Sequence, residues 1–185
     1  GDKIEHIYEL HPITLRKEKE LASVWLYPAR AYVTSDEHKI QAIKTIREEL
    51  QERLTQLTDP VLKYRLRQRT NYDLEMIEQL GYCKGIENYS RHFDNRAPGS
   101  PPYTLLHFMP PDWLLFVDES HASLPQLRGM YEGDHSRKRN LIDYGFRLPS
   151  AYDNRPLKFD EFFNFLQPFN KKGASVFYVS ATPAQ

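Results

Sequence analysis

Apolar residues recur three or four positions apart from Ser35 to about Leu57, at Ile40, Ile43, Ile46, Leu50, Leu54 and Leu57. That spacing places them on one face of a helix. Ser35 suits the N-cap, and Asp36 and Glu37 suit the positive end of the helix dipole. Asp59-Pro60 breaks the pattern, and proline is well placed at the start of a second helix. This helix runs through Leu62, Leu66, Leu74, Ile77 and Leu80 and stops at Gly81. The spacing therefore predicts an antiparallel helix pair, most of whose charged residues form a solvated outer face.

On either side the period differs. In residues 1–33, Ile4, His6 and Tyr8 alternate with Lys3, Glu5, Ile7 and Glu9. A charged turn over Arg16–Glu20 and a second strand over Ser23–Tyr27, stopped by Pro28, are expected to follow. Two such strands are marginal alone, so they are expected to complete a sheet begun upstream. Arg96-Ala97-Pro98-Gly99-Ser100-Pro101-Pro102 has the composition of a linker. Beyond it, Leu114–Val117 is a continuous apolar run, read as a strand buried on both faces of a parallel sheet. Helical stretches from about Pro125 to Tyr144 and around Phe159 to Leu166 follow, and then a strand over Val176–Val179. Strand, helix and strand in that order predict a right-handed crossover.

Composition adds limits to this picture. The 185 residues can bury a sizeable core, and 40% apolar and 13% aromatic content fit a folded chain. Net charge is zero, so any contact with nucleic acid must be local rather than drawn by a global field. The single cysteine, Cys83, excludes an internal disulfide and a multi-cysteine zinc site, and reads as a small buried hydrophobe. No apolar run approaches the roughly 20 residues needed to span a bilayer, and no signal peptide opens the chain. The expectation is a cytoplasmic protein with no membrane partner.

The chemistry gathers where the two apolar strands end. Asp118-Glu119-Ser120-His121 follows the first strand, and Ser180-Ala181-Thr182-Pro183 follows the second. In parallel sheets, working residues sit just past the carboxyl ends of strands. Asp118 and Glu119 fall where a nucleotide-hydrolysing motor places a magnesium-anchoring aspartate and a water-orienting glutamate. Read without the flanking motifs, the pair is more simply a set of solvated loop charges, and a plain strand-end turn stays open for Ser180 and Thr182. None of the eight glycines completes a Gly-x-x-x-x-Gly-Lys-Ser/Thr phosphate loop. The chain is therefore expected to be a piece of a longer protein, with half of an ATP site and no turnover of its own. Lys63, Arg65, Arg67 and Arg69 spread around a helix axis, and only Arg65 and Arg69 share a face. Most of these, like Arg137-Lys138-Arg139, read as solvated surface.

Several further runs occur in a fixed order. They are Gly85-Ile86-Glu87-Asn88-Tyr89-Ser90-Arg91-His92, Pro102-Tyr103-Thr104-Leu105-Leu106, the Asp118–His121 run, and Leu127-Arg128-Gly129-Met130-Tyr131. Asp143–Ala151, Asp153-Asn154-Arg155-Pro156-Leu157 and Tyr178–Pro183 complete them. Together they closely resemble the UvrB family, the damage-verifying subunits of the bacterial excinuclease. The resemblance covers essentially the whole chain and is strongest from about Gln68 onward.

The resemblance implies an α/β fold: part of a superfamily 2, P-loop helicase-type motor domain with a helical insertion and a β-hairpin remnant of a UvrA-interacting domain. By the same analogy, residues 1–33 would end the UvrA-interacting domain, and 34–100 would form a helical subdomain beside the DNA. Residues 101–185 would form the second half of the first motor domain. It implies ATP and Mg2+ as cofactors, with damaged DNA, UvrA and UvrC as partners. Asp118 would hold Mg2+ through water, Glu119 would orient or deprotonate the attacking water, and His121 would relay nucleotide state. Ser180 and Thr182 would couple hydrolysis to domain movement. Tyr32, Arg69, Tyr82, Phe146 and Arg147 are implied DNA contacts, although each aromatic is as readily a core residue. The chain departs from the family pattern at His107, Trp113 and Ala184, where Asp, Phe and Gly are usual. Two other readings stay open, a non-catalytic module that binds UvrA or another partner and a different superfamily 2 translocase.

Overall fold

A computed structural model describes residues 3–26, 32, 34–110, 113–166 and 175–182. The chain divides into two compact units, Gly1–Val33 and Thr34–Gln185.

The first unit is an antiparallel hairpin of β1 (Ile7–Leu10) and β2 (Lys17–Leu21). The charged segment expected to turn the chain is instead largely the second strand, and Ser23–Leu26 is not strand. Tyr27 and Pro28 lie outside the described residues. The turn lies earlier, where His11 Nδ1 accepts from the Ile13 and Thr14 amides and Leu15 takes a left-handed φ of 55°. Once that turn sets the register, the alternating Lys and Glu of β2 find partners across the pair. Lys19 lies opposite Glu9, Glu20 pairs with His6 at 2.7 Å, and the Lys17 ammonium sits 3.9 Å over the Tyr8 ring.

The second unit is built on the helix pair. Helix α1 (Asp36–Gln56) is capped by the Ser35 hydroxyl, which accepts from the His38 amide. Helix α2 (Pro60–Leu80) is capped by Asp59, accepting from the Val61 amide at 2.7 Å, and ends at left-handed Gly81. Ile43, Ile46, Leu50, Leu54, Leu66, Leu74 and Ile77 are buried at their contact. Ile40 near the start of α1 and Leu80 at the end of α2, both assigned to the apolar pattern, are exposed. An ion pair, Arg47–Glu78, links the two helices on their outer side.

A 3-10 turn (Ile86–Tyr89) and the short α3 (Ser90–Phe93) cross this pair, placing Tyr89 and Phe93 in the core. The proline- and glycine-containing segment 96–102 is held rather than free. Arg96 donates to the carbonyls of Ser100 and Asp153, the Gly99 amide donates to Asp153, and Arg155 donates to the Gly99 carbonyl. Composition shows the irregular backbone but not the arginines that fasten it.

Strands β3 (Leu114–Val117) and β4 (Ser175–Tyr178) pair in parallel, with Phe116 opposite Phe177. β3 is not buried on both faces among the described residues. Val117 is buried, whereas Leu114 and Phe116 are exposed, and the Phe116 ring stacks on Phe177 at 5.0 Å. Helix α4 (Ser120–Asp143) starts five residues before the expected Pro125. The Glu119 carbonyl nucleates it by accepting from the Ala122 and Ser123 amides, so Pro125 removes only one later bond from the ladder. Lys138, read as solvated, is buried, paired with Asp134 at 2.7 Å and bonded to the Asn154 carbonyl. Helix α5 (Phe159–Leu166) is anchored through Glu161, which receives a two-pronged grip from Arg155 at 2.7 and 2.8 Å. That grip, opposed by burial, holds the Glu161 carboxyl below its usual range. No described helix is long and apolar enough to cross a membrane.

Candidate functional site

Two clusters hold most of the residues singled out from the sequence. The first forms where β3 and β4 end together. The ladder between them continues past both strands, as the Val179 amide donates to Val117 and the Ser120 amide donates to Val179. This brings the Ser180 turn onto the first residues of α4. His121 Nδ1 lies 2.8 Å from Ser180 Oγ and 3.3 Å from a Glu119 carboxylate oxygen. Ser180 Oγ also accepts from the Thr182 amide at 3.1 Å. Glu119, His121, Ser180 and the Thr182 backbone thus form one continuous chain of polar contacts across the two strand ends. Pro183 and Ala184 lie outside the described residues.

The backbone there bends sharply. Glu119 adopts φ 45° and ψ 48°, a left-handed conformation that disfavours any residue with a Cβ, at a cost of about 1–2 kcal/mol. Its amide is satisfied by Asp118 Oδ1 at 2.9 Å, and the Ser123 hydroxyl donates to the Asp118 carbonyl at 2.7 Å. Asp118 and Glu119 are both exposed, with carboxylates open to a ligand from solvent. Among the described residues no group of three or more His, Cys, Asp or Glu could enclose a metal. One exposed carboxylate at a strand end fits a hydrated Mg2+, which keeps several waters and is commonly shared with phosphate oxygens.

The second cluster is a cleft of about 550 Å³ between α2 and the turn after α4, lined by Arg65, Arg69, Tyr72, Leu141, Phe146 and Arg147. Gly145, at φ 71°, makes the turn possible, and it rests so closely on α2 that a Cβ would meet the Leu62 carbonyl oxygen at 2.8 Å. Arg65 donates to the Tyr144 carbonyl at 2.7 Å and lies 4.5 Å over the Phe146 ring. Arg69 and Arg147 meet on one buried carboxylate, Asp73, whose Oδ2 accepts from Arg69 Nε at 3.1 Å and Arg147 Nη1 at 3.2 Å. The Tyr89 hydroxyl donates to the same oxygen at 2.9 Å. Burial, reinforced by the Asp73 charge, pushes the Tyr89 phenol well above its usual range.

Arg69, Phe146 and Arg147 therefore share a cleft. Tyr82 is exposed but does not line it, and Tyr32 belongs to the first unit. Arg65 and Asp73 went unassigned in the sequence reading. The Arg65/Arg69/Asp73 spacing of four residues was the available signal, since it stacks all three on one helix face. Glu49 was also missed. It is bonded to His92 at 2.7 Å and to the Ser150 amide at 2.7 Å, and Arg91 bridges it to Asp153.

Residues 37–95 match the UvrB third helical domain, a region that holds nearly all of the helix pair, Arg69, Asp73 and Tyr89 of the second cluster, and α3. Along its whole length the chain is similar to proteins named UvrABC system protein B. It is 54% identical to that of Methanococcus maripaludis, with 100% of this chain and 27% of the relative covered. The protein of Caldanaerobacter subterraneus is 54% identical over 99% of this chain and 27% of the relative. That of Mycobacterium leprae is 53% identical over 99% of this chain and 26% of the relative. The chain thus spans about a quarter of the length of these curated relatives. An identity above one half along the whole chain, joined to the helical-domain match over residues 37–95, makes the chain similar throughout to a segment of UvrABC system protein B.

Proposed function

We propose that the protein acts within the damage-verifying, ATP-dependent, helicase-like subunit of the UvrABC excinuclease in nucleotide excision repair. It takes damaged DNA from UvrA and recruits UvrC. The observation that carries this reading is the 53–54% identity to UvrABC system protein B along the whole chain. In this reading residues 1–33 end the UvrA-interacting domain, 34–100 are the helical subdomain beside DNA, and 101–185 are the second half of the first motor domain.

The chemistry assigned to each side chain follows from its position. Asp118 would hold Mg2+ at the end of β3, and the ion would neutralise charge on the ATP phosphates. Glu119 orients the attacking water and takes its proton. His121 reads the state of Glu119 through their 3.3 Å contact and passes it to Ser180 at 2.8 Å. The Thr182 amide, bonded to Ser180 Oγ, carries the change to the segment beyond β4. In the helical subdomain and after α4, Arg69 and Arg147 grip phosphates, while Phe146 and Tyr82 offer stacking faces worth about 1–3 kcal/mol per base.

The test is ATP turnover by a full-length UvrB carrying this segment, with UvrA and damaged DNA present. Glu119→Gln is expected to abolish turnover while nucleotide binding persists. Unchanged turnover would mean that the carboxylate pair is structural and would overturn the motor assignment.

A further inference from the structure

Asp73 is an unexpected residue to find under a cleft assigned to a polyanion. It is fully buried, and one of its oxygens receives all three donors, from Arg69, Arg147 and Tyr89. Its other oxygen, Oδ1, is buried without a hydrogen-bond partner among the described residues. Two like-charged guanidiniums meeting at one point repel each other unless a carboxylate lies between them. The surroundings add to the constraint. Arg69 Nη2 donates to the Lys84 carbonyl at 3.0 Å. Arg147 Nη2 lies against Gly85, where any Cβ would stand only 2.8 Å from it. Gly85, at φ 89°, leaves the space into which that guanidinium fits. The two forks are thereby fixed by contacts on several sides before any ligand arrives.

The charges decide what this arrangement suits. Around Asp73, two guanidiniums and one carboxylate leave net positive charge, to which Arg65 on the same cleft adds, and a positive cleft suits the anionic phosphodiester. The guanidinium N–H groups not engaged by Asp73 or Lys84 supply planar, directional donors for its oxygens. We propose that Asp73 is the positioning residue of this cleft, holding Arg69 and Arg147 as a preset pair that takes one phosphodiester of a DNA strand. This rests on the assignment of Arg69 and Arg147 as DNA contacts. Ordering before binding removes the entropy of fixing two long side chains at the moment of encounter. A desolvated carboxylate beneath the cleft therefore serves anion binding although it carries the wrong sign.

That wrong sign makes the test decisive. In a full-length UvrB carrying this segment, binding of a fluorescent oligothymidylate is followed by anisotropy across a salt series. Asp73→Asn preserves the side chain's size and adds one positive charge to the site. If Asp73 acts only through charge, the variant binds more tightly and with steeper salt dependence. If it positions the arginines, affinity falls about tenfold, the loss of roughly one charge-assisted contact. The slope of log K against log salt then becomes shallower by about 0.7, one phosphate contact on a single strand. Unchanged or tighter binding overturns the proposal. Arg69→Lys keeps the charge but cannot reach Asp73 and the Lys84 carbonyl together, and the same weakening is expected. Should circular dichroism show Asp73→Asn unfolded, Arg69→Lys decides alone, and wild-type binding by it overturns the proposal. Arg69→Ala with Arg147→Ala tests the underlying reading separately. If that pair binds like wild type, the cleft is not a DNA site at all.

Discussion

Substituting Gly145 by alanine separates two penalties that usually arrive together. Gly145 has φ 71° and Gly81 has φ 70°, so alanine at either site meets nearly the same left-handed backbone cost, about 1 kcal/mol. Their surroundings differ. A Cβ at Gly81 meets nothing within 4 Å, whereas at Gly145 it meets the Leu62 carbonyl oxygen at 2.8 Å and the Leu62 Cα at 3.3 Å. Both neighbours are backbone in the first turn of α2 and can yield only by moving the helix or the turn. Forcing an extra carbon into such a contact costs about 1–3 kcal/mol more. Gly145→Ala is therefore expected to destabilise by about 2–4 kcal/mol and Gly81→Ala by about 1 kcal/mol. Urea unfolding followed by helical circular dichroism reads the difference, which should appear as a midpoint lower by about 1 M for Gly145→Ala. Equal midpoints would refute the reasoning, since they would mean that α2 and the turn do not meet as tightly as described. The same substitution should weaken oligonucleotide binding, because Phe146 and Arg147 follow Gly145 directly.

Other expectations concern buried groups. Burial pushes the Glu49 carboxyl up, but hydrogen bonds from His92 and Ser150 outweigh it and leave the group below its ordinary value. A carboxyl lowered in the folded state adds stability that is complete above the unfolded value, about 4.3, and is lost as pH falls through the folded one. Thermal melts between about pH 6 and pH 3 should therefore show a shallower acid loss for Glu49→Gln than for wild type, and identical profiles would exclude this role. Burial first, and then the nearby Asp73 charge, pushes the Cys83 thiol up to about 12. Iodoacetamide at neutral pH should leave Cys83 unmodified in the native protein and label it in urea. Rapid native labelling would show that the region opens readily.

The helical half of the fold was legible because its signals are local. Ser35, Asp59, Pro60 and Gly81 each act on the backbone within a few residues, and the structure places all four at helix ends. The first strand pair was misassigned for a related reason. Lys17–Leu21 lacks an apolar face, and its stability depends on Glu9, Tyr8 and His6, which composition within the segment cannot reveal. The same limit applied to the candidate site. Residue types at the ends of β3 and β4 pointed to Glu119, His121 and Ser180, but their contacts depend on a parallel pairing between segments about sixty residues apart. Asp73 and Glu49 were hidden most completely. Each looks like one more charge on a solvated helix face until Arg147, Tyr89, His92 and Ser150 arrive from later in the chain.

The fastening of residues 96–102 bears on how this chain can be engineered. Its Ala-Pro-Gly-Ser-Pro-Pro composition invites the insertion of a tag, a fluorophore or a cleavage site. Tolerance of an insertion depends on the hydrogen bonding of the backbone that it divides. Here an insertion would separate Arg96 from the Ser100 carbonyl and draw Gly99 away from both Asp153 and Arg155. Arg155 also grips Glu161 at the start of α5, so the disturbance would spread to a helix some sixty residues along the chain. The stretch that most resembles a permissive tether is a seam that joins distant parts of the second unit.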